Sequence, residues 1–505
     1  MRTGMRSILS LTLAAAVLGG VVAGCGQNET GTAGGQSVRP EWCPTVPDYA
    51  VDCGTVQRPL VAGTPELGTI EVGFARIRHS RSEVPAAGTL LPNPGGPGVP
   101  MIAHAAEATM LAAGLLDDHD VLLIDPRGTG VSAALDCGVD ENSYQLGTRA
   151  QQQEMIGRCG EQLGPKAAGY TSAATVDDFD AVRAQLGIDK VVPYGISYGT
   201  YLLPIYAQRH PEHVQSMVLS GAYPAGFDPL QRPNAEAVSL ALQRICERSR
   251  VCDGDTAVRD LRTVAARLRT QPLTVEGKAS IVLDEAKLGN LIFEAATSNV
   301  GADPGAMTPL GTLPAALRAA VRGDDEPLRE FTRATTDADG YENIDLYLTV
   351  ACNDYRTLWS PETPVAQREQ QYRAALAQQA PDGLGAFSAE GFGGAQRDGG
   401  DACLRWPGLP GHERPDQLRA PMPDVPVLVL SGDLDAITPD ANGKLAAARF
   451  PRSTFLSVPN TGHVPDLEPT GCVTGLITTF VRTGAPGPTA CVAAVPPVAV
   501  APVTN

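Results

Sequence analysis

The sequence predicts an α/β protein in which a mainly parallel sheet is flanked by helices and carries a large, mostly helical cap insertion. Short apolar runs that end in glycine, aspartate or serine recur along the chain, as is typical of buried strands followed by loops. Helix-like segments lie between these runs, and strands that alternate with helices favour a parallel sheet. The runs are closely spaced except for one interval, between residues 222 and 425, which indicates the insertion.

The order of the elements follows from these runs. We expect strands within 88–98, 119–130, 190–199, 214–222, 425–433 and 453–463, with helices such as VDDFDAVRAQLG and TYLLPIYAQRHPE between them. The core would occupy 41–230 and 401–485, and the cap 231–400 would cover the carboxyl edge of the sheet, where ligands bind in open α/β sheets. Residues 486–505 are rich in proline and predict an irregular tail.

The N-terminal segment has the features of an export signal. Arg2 and Arg6 precede an apolar run at 8–22, and small residues lead up to Cys25. We expect a signal peptide at 1–24, a lipidated Cys25 and a flexible tether at 25–40, which would hold the protein on the outer face of the cell membrane through lipid alone. The alternative is an ordinary cleaved signal and a secreted protein.

The composition indicates the redox compartment of the protein and argues against some classes of partner. Ten cysteines remain besides Cys25, an even number that favours five disulfides in an oxidising compartment. We expect local pairs: Cys43–Cys53, Cys137–Cys159, Cys246–Cys252, Cys352–Cys403 and Cys472–Cys491. A net charge of −17 argues against nucleic acid as a partner. Neither a Cys-x-x-Cys pair nor clustered histidines occur, so we expect no metal and no cofactor.

A catalytic serine is indicated by GISYG at 195–199, which follows an apolar strand and precedes a helix-like segment. In the α/β-hydrolase fold this G-x-S-x-G turn exposes the nucleophile, here Ser197, between strand and helix. The acid and the histidine follow the serine along the chain in that fold. His463 is the histidine that also follows a strand-end acid, and Asp433, Asp435 and the more distant Asp440 compete as the acid.

The loop NPGGPG at 93–98 predicts the oxyanion hole. Glycine lets a backbone N–H approach a substrate carbonyl closely, and we expect the donors to be the N–H groups of Gly96 and Tyr198. The neighbouring segment DPRGTGVS at 125–132 follows another strand, and we interpret it as scaffold, with an Asp125–Arg127 pair bracing nearby loops.

Taken together, these motifs resemble a known family. NPGGPG, DPRGTGVS, YTSAATVDDFDAVRAQLG, YGISYGTYL, ACNDY, CLRWP, SGDLDAITP and TGHVP are similar to segments of secreted actinobacterial tripeptidyl aminopeptidases and their mycobacterial lipoprotein relatives, which are proline-iminopeptidase-like α/β-hydrolases. The family pattern G-x-x-D-x-x-T-P aligns on Gly432, Asp435, Thr438 and Pro439, so the resemblance favours Asp435 as the acid. One departure is NPGGPGVP, where relatives often have more glycine or serine.

The resemblance implies a serine exopeptidase that releases short peptides, tripeptides first among them, from free N-termini through an acyl-enzyme. The same triad would also serve a carboxylesterase or lipase, or an endoprotease of one cell-envelope protein. A binding lipoprotein that has lost activity is the alternative from another class, and the intact triad argues against it.

An exopeptidase that stops after a few residues must recognise the substrate's ammonium group, and a carboxylate on the cap side of the cleft would do so. In YENIDLYLTVACNDY the candidates are Glu342, Asp345 and Asp354, with Asp354 held by the expected Cys352–Cys403 bridge. The alternative role for Asp354 is to cap a helix or to pair with Arg356.

Overall fold

The structure is a computed structural model that describes residues 39–504, apart from 82, 278–279, 299, 337–342, 381–382 and 410. The predicted signal peptide, Cys25 and almost all of the tether therefore lie outside the described residues, as does Glu342.

In the described part of the chain, eight strands form one sheet in the order β1-β2-β4-β3-β5-β6-β9-β10, and β7 and β8 form a small hairpin. Every neighbouring pair from β4 to β10 in this sheet is parallel, while β1 and β2 are antiparallel to their partners. The strands are β1 (Val51–Pro59), β2 (Thr69–Ile77), β3 (Gly88–Asn93), β4 (His119–Ile124), β5 (Val192–Ile196), β6 (Met217–Ser220), β7 (Leu273–Val275), β8 (Ile281–Leu283), β9 (Pro426–Gly432) and β10 (Arg452–Val458).

The mainly parallel sheet and its six predicted strands are thus confirmed. The hairpin of β1 and β2 was not predicted. In β1 partly covered residues are interrupted by exposed ones, and none is fully buried. The strand consequently lacks the continuous apolar run that marks a strand buried on both faces.

Helices cover both faces of the sheet and fill the insertion. They are α1 (Ala105–Leu111), α2 (Glu141–Leu146), α3 (Arg149–Leu163), α4 (Ser172–Gln185), α5 (Gly199–Arg209), α6 (Arg232–Ser249), α7 (Gly254–Thr270), α8 (Glu285–Asn290), α9 (Pro309–Val321), α10 (Glu326–Thr336), α11 (Ile344–Asp354), α12 (Val365–Ala377), α13 (Ala389–Ala395), α14 (Asp440–Ala447) and α15 (Cys472–Thr483). None of them, within the residues described, is both long and apolar enough to cross a membrane.

The insertion between β6 and β9 has an apolar core of its own. Side chains of α6, α7 and α9 pack there with the π-helical segment Leu291–Ala296, and the C-terminal tail adds Val498 and Val500. Helix α11 differs from the rest of the insertion, because its Leu346, Val350 and Ala351 pack with the main core beside α4 and α5. One helix of the insertion is therefore part of the layer below the sheet edge.

All five predicted disulfides are present: Cys43–Cys53, Cys137–Cys159, Cys246–Cys252, Cys352–Cys403 and Cys472–Cys491. The last of them attaches the Pro-rich tail to the first turn of α15. The tail continues against the cap, where the Ala501 N–H donates to the Gly311 carbonyl at 3.0 Å. The tail is attached at Cys491, as expected, and contains one short 3-10 helix at Ala490–Ala494.

Candidate active site

Ser197 lies on the turn between β5 and α5, with a φ of 55° that non-glycine residues rarely adopt. Its N–H donates to the Ser220 carbonyl on the neighbouring strand at 3.1 Å, which holds the turn in place. A side chain at Gly199 would put a Cβ 2.3 Å from the Asn93 carbonyl oxygen, so only glycine allows this close approach. The sequence therefore builds a strained turn that presents the serine at the sheet edge.

The glycine-rich loop after β3 lies directly against this turn. Gly95 has a φ of 107°, and a Cβ on it would stand 2.8 Å from the Ser197 Cβ and 3.1 Å from the Tyr198 nitrogen. Gly96, the next residue, lines the same cavity as Ser197. The two predicted oxyanion donors, the N–H groups of Tyr198 and Gly96, thus belong to segments in contact beside the serine.

The structure brings His463 and Asp435 together, with the His463 Nδ1 2.9 Å from the Asp435 Oδ2. The other carboxylate oxygen accepts from the N–H groups of Ile437 at 2.7 Å and Thr438 at 3.1 Å. The Thr438 hydroxyl donates to Asp435 and lies 2.9 Å from the His463 Nδ1. Because a carboxylate only accepts, this arrangement favours the tautomer with its proton on Nδ1, and Nε2 remains free to act as a base.

The competing acids have other partners. Arg248 on α6 forms an ion pair with Asp433, whose carboxylate also accepts from the Asn460 N–H at 2.8 Å. Asp440 accepts from the Ser457 hydroxyl at 2.9 Å. Asp433 therefore braces the cap against the core, and Asp435 is the acid that contacts His463.

A cavity of about 530 Å³ lies between the sheet edge and the cap. Ser197, Gly96 and His463 line part of it, and residues of α2, of α3 and of the insertion line most of the remainder. Acidic and basic groups both face it, together with several tyrosines: Glu141, Glu294, Asp398, Lys287, Arg397, Tyr144, Tyr223 and Tyr347.

Burial shifts the pKa of two of these groups. It raises the pKa of Asp398, against the opposing effects of the Tyr347 hydroxyl, which donates at 2.9 Å, and of Arg397. Burial also lowers the pKa of Lys287. Arg397 stacks on the Tyr347 ring, 4.1 Å from its centroid, and pairs with Glu141 at 3.6 Å. A cation that entered the cavity would therefore find a buried carboxylate whose ionised form is poorly solvated.

The expected role of Asp354 is contradicted by its position. The carboxylate is fully buried and accepts from the Ser172 N–H at 2.6 Å and the Ser172 hydroxyl at 2.5 Å, at the start of α4. The alternative that it caps a helix is the one observed, while Arg356 lies near Asp416 instead. Asp354 does not line the cavity, and its carboxylate is already occupied by Ser172 and His412, so it offers no site for a substrate ammonium.

The other candidate for this role in the described chain, Asp345, also has a structural function. Its carboxylate accepts from the N–H groups of Cys137 at 2.8 Å and Val139 at 3.3 Å. Sequence reasoning missed Asp398 and Glu294, which do line the cavity. Their sequence contexts carry no motif, and only the packing of α13 and of the segment 291–296 brings them to it.

The segment 125–132 is scaffold, but the expected Asp125–Arg127 pair is wrong. Arg127 forms a buried ion pair with Asp178 at 2.7 Å, and Asp125 accepts from the N–H groups of Ile102 at 2.7 Å and Val131 at 2.9 Å. Two residues apart after a strand, the side chains diverge, and the arginine reaches α4 instead.

One group of possible metal ligands lies elsewhere on the described surface, where Asp180, His210 and His213 come together. The carboxylate already pairs with Arg183 at 2.6 Å and with His213 at 2.8 Å. These contacts account for the group as a network of ion pairs.

Family models match two parts of the chain. A model described as "alpha/beta hydrolase fold" matches residues 88–250, and one described as "TAP-like protein" matches residues 389–491. The two matches together contain Ser197, Asp435 and His463 and leave out most of the cap.

Similar proteins include a tripeptidyl aminopeptidase of Streptomyces coelicolor, 32% identical over 187 residues, which are 34% of each chain. The serine protease Hip1 of Mycobacterium tuberculosis is 29% identical over 196 residues, 35% of this chain and 37% of that protein. The matches thus span about a third of each relative. A proline iminopeptidase structure from Mycobacterium smegmatis aligns at 18% identity and a TM-score of 0.36, over 86% of this chain and 98% of that one.

Proposed function

This chain belongs to the α/β-hydrolase family with a TAP-like C-terminal region, and on that premise we propose that it is an exported serine exopeptidase. It would remove short peptides, tripeptides first among them, from the free N-termini of peptides or proteins. The observation that carries the proposal is that Ser197 and His463 line one cavity with the half-buried carboxylates of Glu294 and Asp398.

The geometry supports acyl transfer in two half-reactions. His463 takes the proton of the Ser197 hydroxyl as the oxygen attacks the scissile carbonyl, and the protonated imidazole then gives that proton to the leaving amine. Asp435 keeps the Nδ1 proton in place and stabilises the imidazolium. Water attacks the acyl-enzyme with the same base, which releases the short peptide and restores the serine.

The oxyanion formed in each half-reaction would accept hydrogen bonds from the N–H groups of Tyr198 and Gly96. These donors belong to a strained turn and a glycine loop that are already in contact, so little reorganisation accompanies charge development. A substrate that displaces water from the cavity would strengthen these interactions.

The proposed ammonium site lies on the cap side of the cavity. Asp398 carries it, because burial raises the pKa of its carboxyl despite Arg397, and a substrate ammonium would stabilise the ionised form. Glu294 adds a second acid to the lining. A cavity of about 530 Å³ is within the range of pockets that hold one small ligand. The part of the substrate on the C-terminal side of the cleaved bond would extend out of the cavity past Ser197.

Export is supported by the five disulfides, since such bonds persist in oxidising compartments. We also propose that a lipid on Cys25 attaches the protein to the membrane. The proposed reaction uses neither nucleic acid nor a cofactor.

The decisive experiment compares three substrates on one preparation: a tripeptide anilide with a free amine, its N-acetylated form and a short acyl ester. An exopeptidase cleaves the first and not the second, and Ser197→Ala abolishes turnover and labelling by a fluorophosphonate. Equal cleavage of the free and acetylated peptides would identify an endoprotease, and turnover of the ester alone would identify an esterase.

Asp398→Asn tests the ammonium site. We expect KM for the free tripeptide to rise about 10- to 100-fold, the scale of a hydrogen bond to a charged group, with ester turnover within about twofold. Glu141→Gln is the matched control, because this acid lines the same cavity but already pairs with Arg397. Equal rises in KM for the two variants would mean that KM responds to the loss of any negative charge in the cavity, and that Asp398 does not bind the ammonium group.

A further inference from the structure

A line of buried hydrogen bonds connects the nucleophile turn to the opposite side of the insertion. The Tyr198 hydroxyl lies 2.8 Å from the Ser172 Oγ, which lies 2.5 Å from the Asp354 Oδ2. The other oxygen of Asp354 lies 2.9 Å from the His412 Nε2. Four side chains from four separate segments of the chain thus form one continuous path.

The carboxylate sets the direction of every bond on this path. Asp354 can only accept, so the Ser172 hydroxyl donates to it, and the Tyr198 hydroxyl in turn donates to Ser172. His412 must donate from Nε2, in either its neutral or its protonated form. Its imidazole, 17% exposed, borders a second cavity of about 530 Å³.

Burial makes His412 important to this path. Ser172 and Asp354 have no exposed surface, and Tyr198 is 3% exposed. Among the described residues, His412 is the basic side chain within ion-pair distance of the Asp354 carboxylate. Removal of a partner from a buried charge typically costs several kcal/mol, because the charge is left uncompensated.

The path ends on the turn that carries catalysis. Tyr198 immediately follows Ser197, and its backbone N–H is the proposed oxyanion donor. Tyr201, one turn later on α5, stacks on Tyr198 with ring centroids 6.0 Å apart, and its hydroxyl donates to the Asp354 carbonyl at 3.1 Å. Asp354 therefore holds the first turn of α5 at two points.

We propose that His412 is a positioning residue for the oxyanion hole: by donating to Asp354, it orders Ser172 and Tyr198 and so aims the Tyr198 N–H at the reacting carbonyl. The proposal rests on Ser197 being the nucleophile, but it is independent of the peptide specificity. A group that acts through the oxyanion hole affects kcat and leaves substrate binding unchanged.

The test uses an activated acyl ester, which any enzyme with this nucleophile turns over. His412→Ala should lower kcat about tenfold, a fraction of the loss seen when an oxyanion donor is removed, with KM within about twofold. His412→Gln retains an N–H donor and should recover most of the rate. Imidazole added to His412→Ala should also restore it, since the second cavity opens where the ring was.

The matched control is His210→Ala, which removes a partly exposed imidazole from another Asp–His pair, 3.0 Å from Asp177, at the opposite end of α5 from Ser197. We expect its kcat to be unchanged.

In His412→Ala, affinity for a boronic acid that mimics the tetrahedral intermediate should fall in parallel with kcat, while inhibition by the product acid stays constant. Tyr198→Phe, which removes a single hydroxyl, should show the same pattern if His412→Ala does not fold.

Unchanged kcat in folded His412→Ala, or a loss that neither glutamine nor imidazole restores, would overturn the proposal. An unmodified enzyme that turns over the ester but no tripeptide would contradict the proposed peptidase function alone, so the two failures are distinguishable.

Discussion

Two aspartate–histidine pairs among the described residues have a fully buried carboxylate, the same spacing and opposite orientations. In the first, His463 and Asp435 are 2.9 Å apart and the imidazole faces the cavity with Ser197. In the second, His412 and Asp354 are also 2.9 Å apart, but the carboxylate points inward and the imidazole faces a different cavity. An Asp–His contact therefore does not identify a catalytic base, and the surroundings of the ring decide its role.

The largest expected effect comes from breaking the first pair. Asp435→Asn should lower kcat about 10⁴-fold, because the amide no longer fixes the proton on Nδ1 of His463. The measurement is steady-state turnover of the ester and the free tripeptide. Asp433→Asn is the control: it removes the partner of Arg248 and should lower stability with a far smaller effect on kcat. A similar loss of rate in both variants would contradict the assignment of Asp435.

The Thr438 hydroxyl lies beside the first pair and allows a second test of how that pair is oriented. Thr438 contacts both Asp435 and His463, so Thr438→Val should lower kcat about 10- to 100-fold, on the scale of a hydrogen bond to a charged group. Thr438→Ser keeps the hydroxyl and should retain most of the rate. If valine and serine gave equal rates, the hydroxyl would have no part in orienting the base.

The second pair is anchored by the Cys352–Cys403 bridge, which closes a separation of 51 residues two positions before Asp354. Replacement of both cysteines by serine should lower the free energy of unfolding by about 3 to 4 kcal/mol and kcat by a few-fold, because the path to Tyr198 loosens. The Cys472–Cys491 bridge, with a separation of 19 residues, supplies the control. Its loss should lower Tm without changing kcat, and equal kcat in both double variants would show that the bridge does not support the second pair.

The smallest effect concerns a carboxylate outside both pairs. Burial raises the pKa of Asp398, so the stability that this group contributes is present below its unfolded pKa and is lost as the pH rises through its folded pKa. Denaturant unfolding of Asp398→Asn should therefore show a smaller loss of stability between about pH 4 and pH 7 than the unmodified protein. An identical pH dependence would mean that the carboxyl titrates alike in the folded and unfolded states.

The sequence predicted the residues of the candidate active site better than the packing of the elements around it. The strand before GISYG, the glycine loop and the order of Ser197, acid and His463 are local or sequential features. The structure places Gly96, Ser197 and His463 on one cavity, with Asp435 in contact with His463. The catalytic roles stay predictions that the variants above test. The sequence did not predict that α11 packs with the main core, because its apolar residues would suit either the cap or the core.

By itself the sequence determined the parallel sheet and the turn at Ser197, since each depends on one local strand-and-loop pattern. Its even number of cysteines besides Cys25 predicted five disulfides, but the structure decided their pairing, which spans up to 51 residues. Only the tertiary structure decided that Asp354 lies below α5, that Arg127 pairs with Asp178, and that Asp398 and Glu294 reach the cavity. The physical reason is that a carboxylate takes its role from the donors and charges packed around it, and those come from segments far away along the chain.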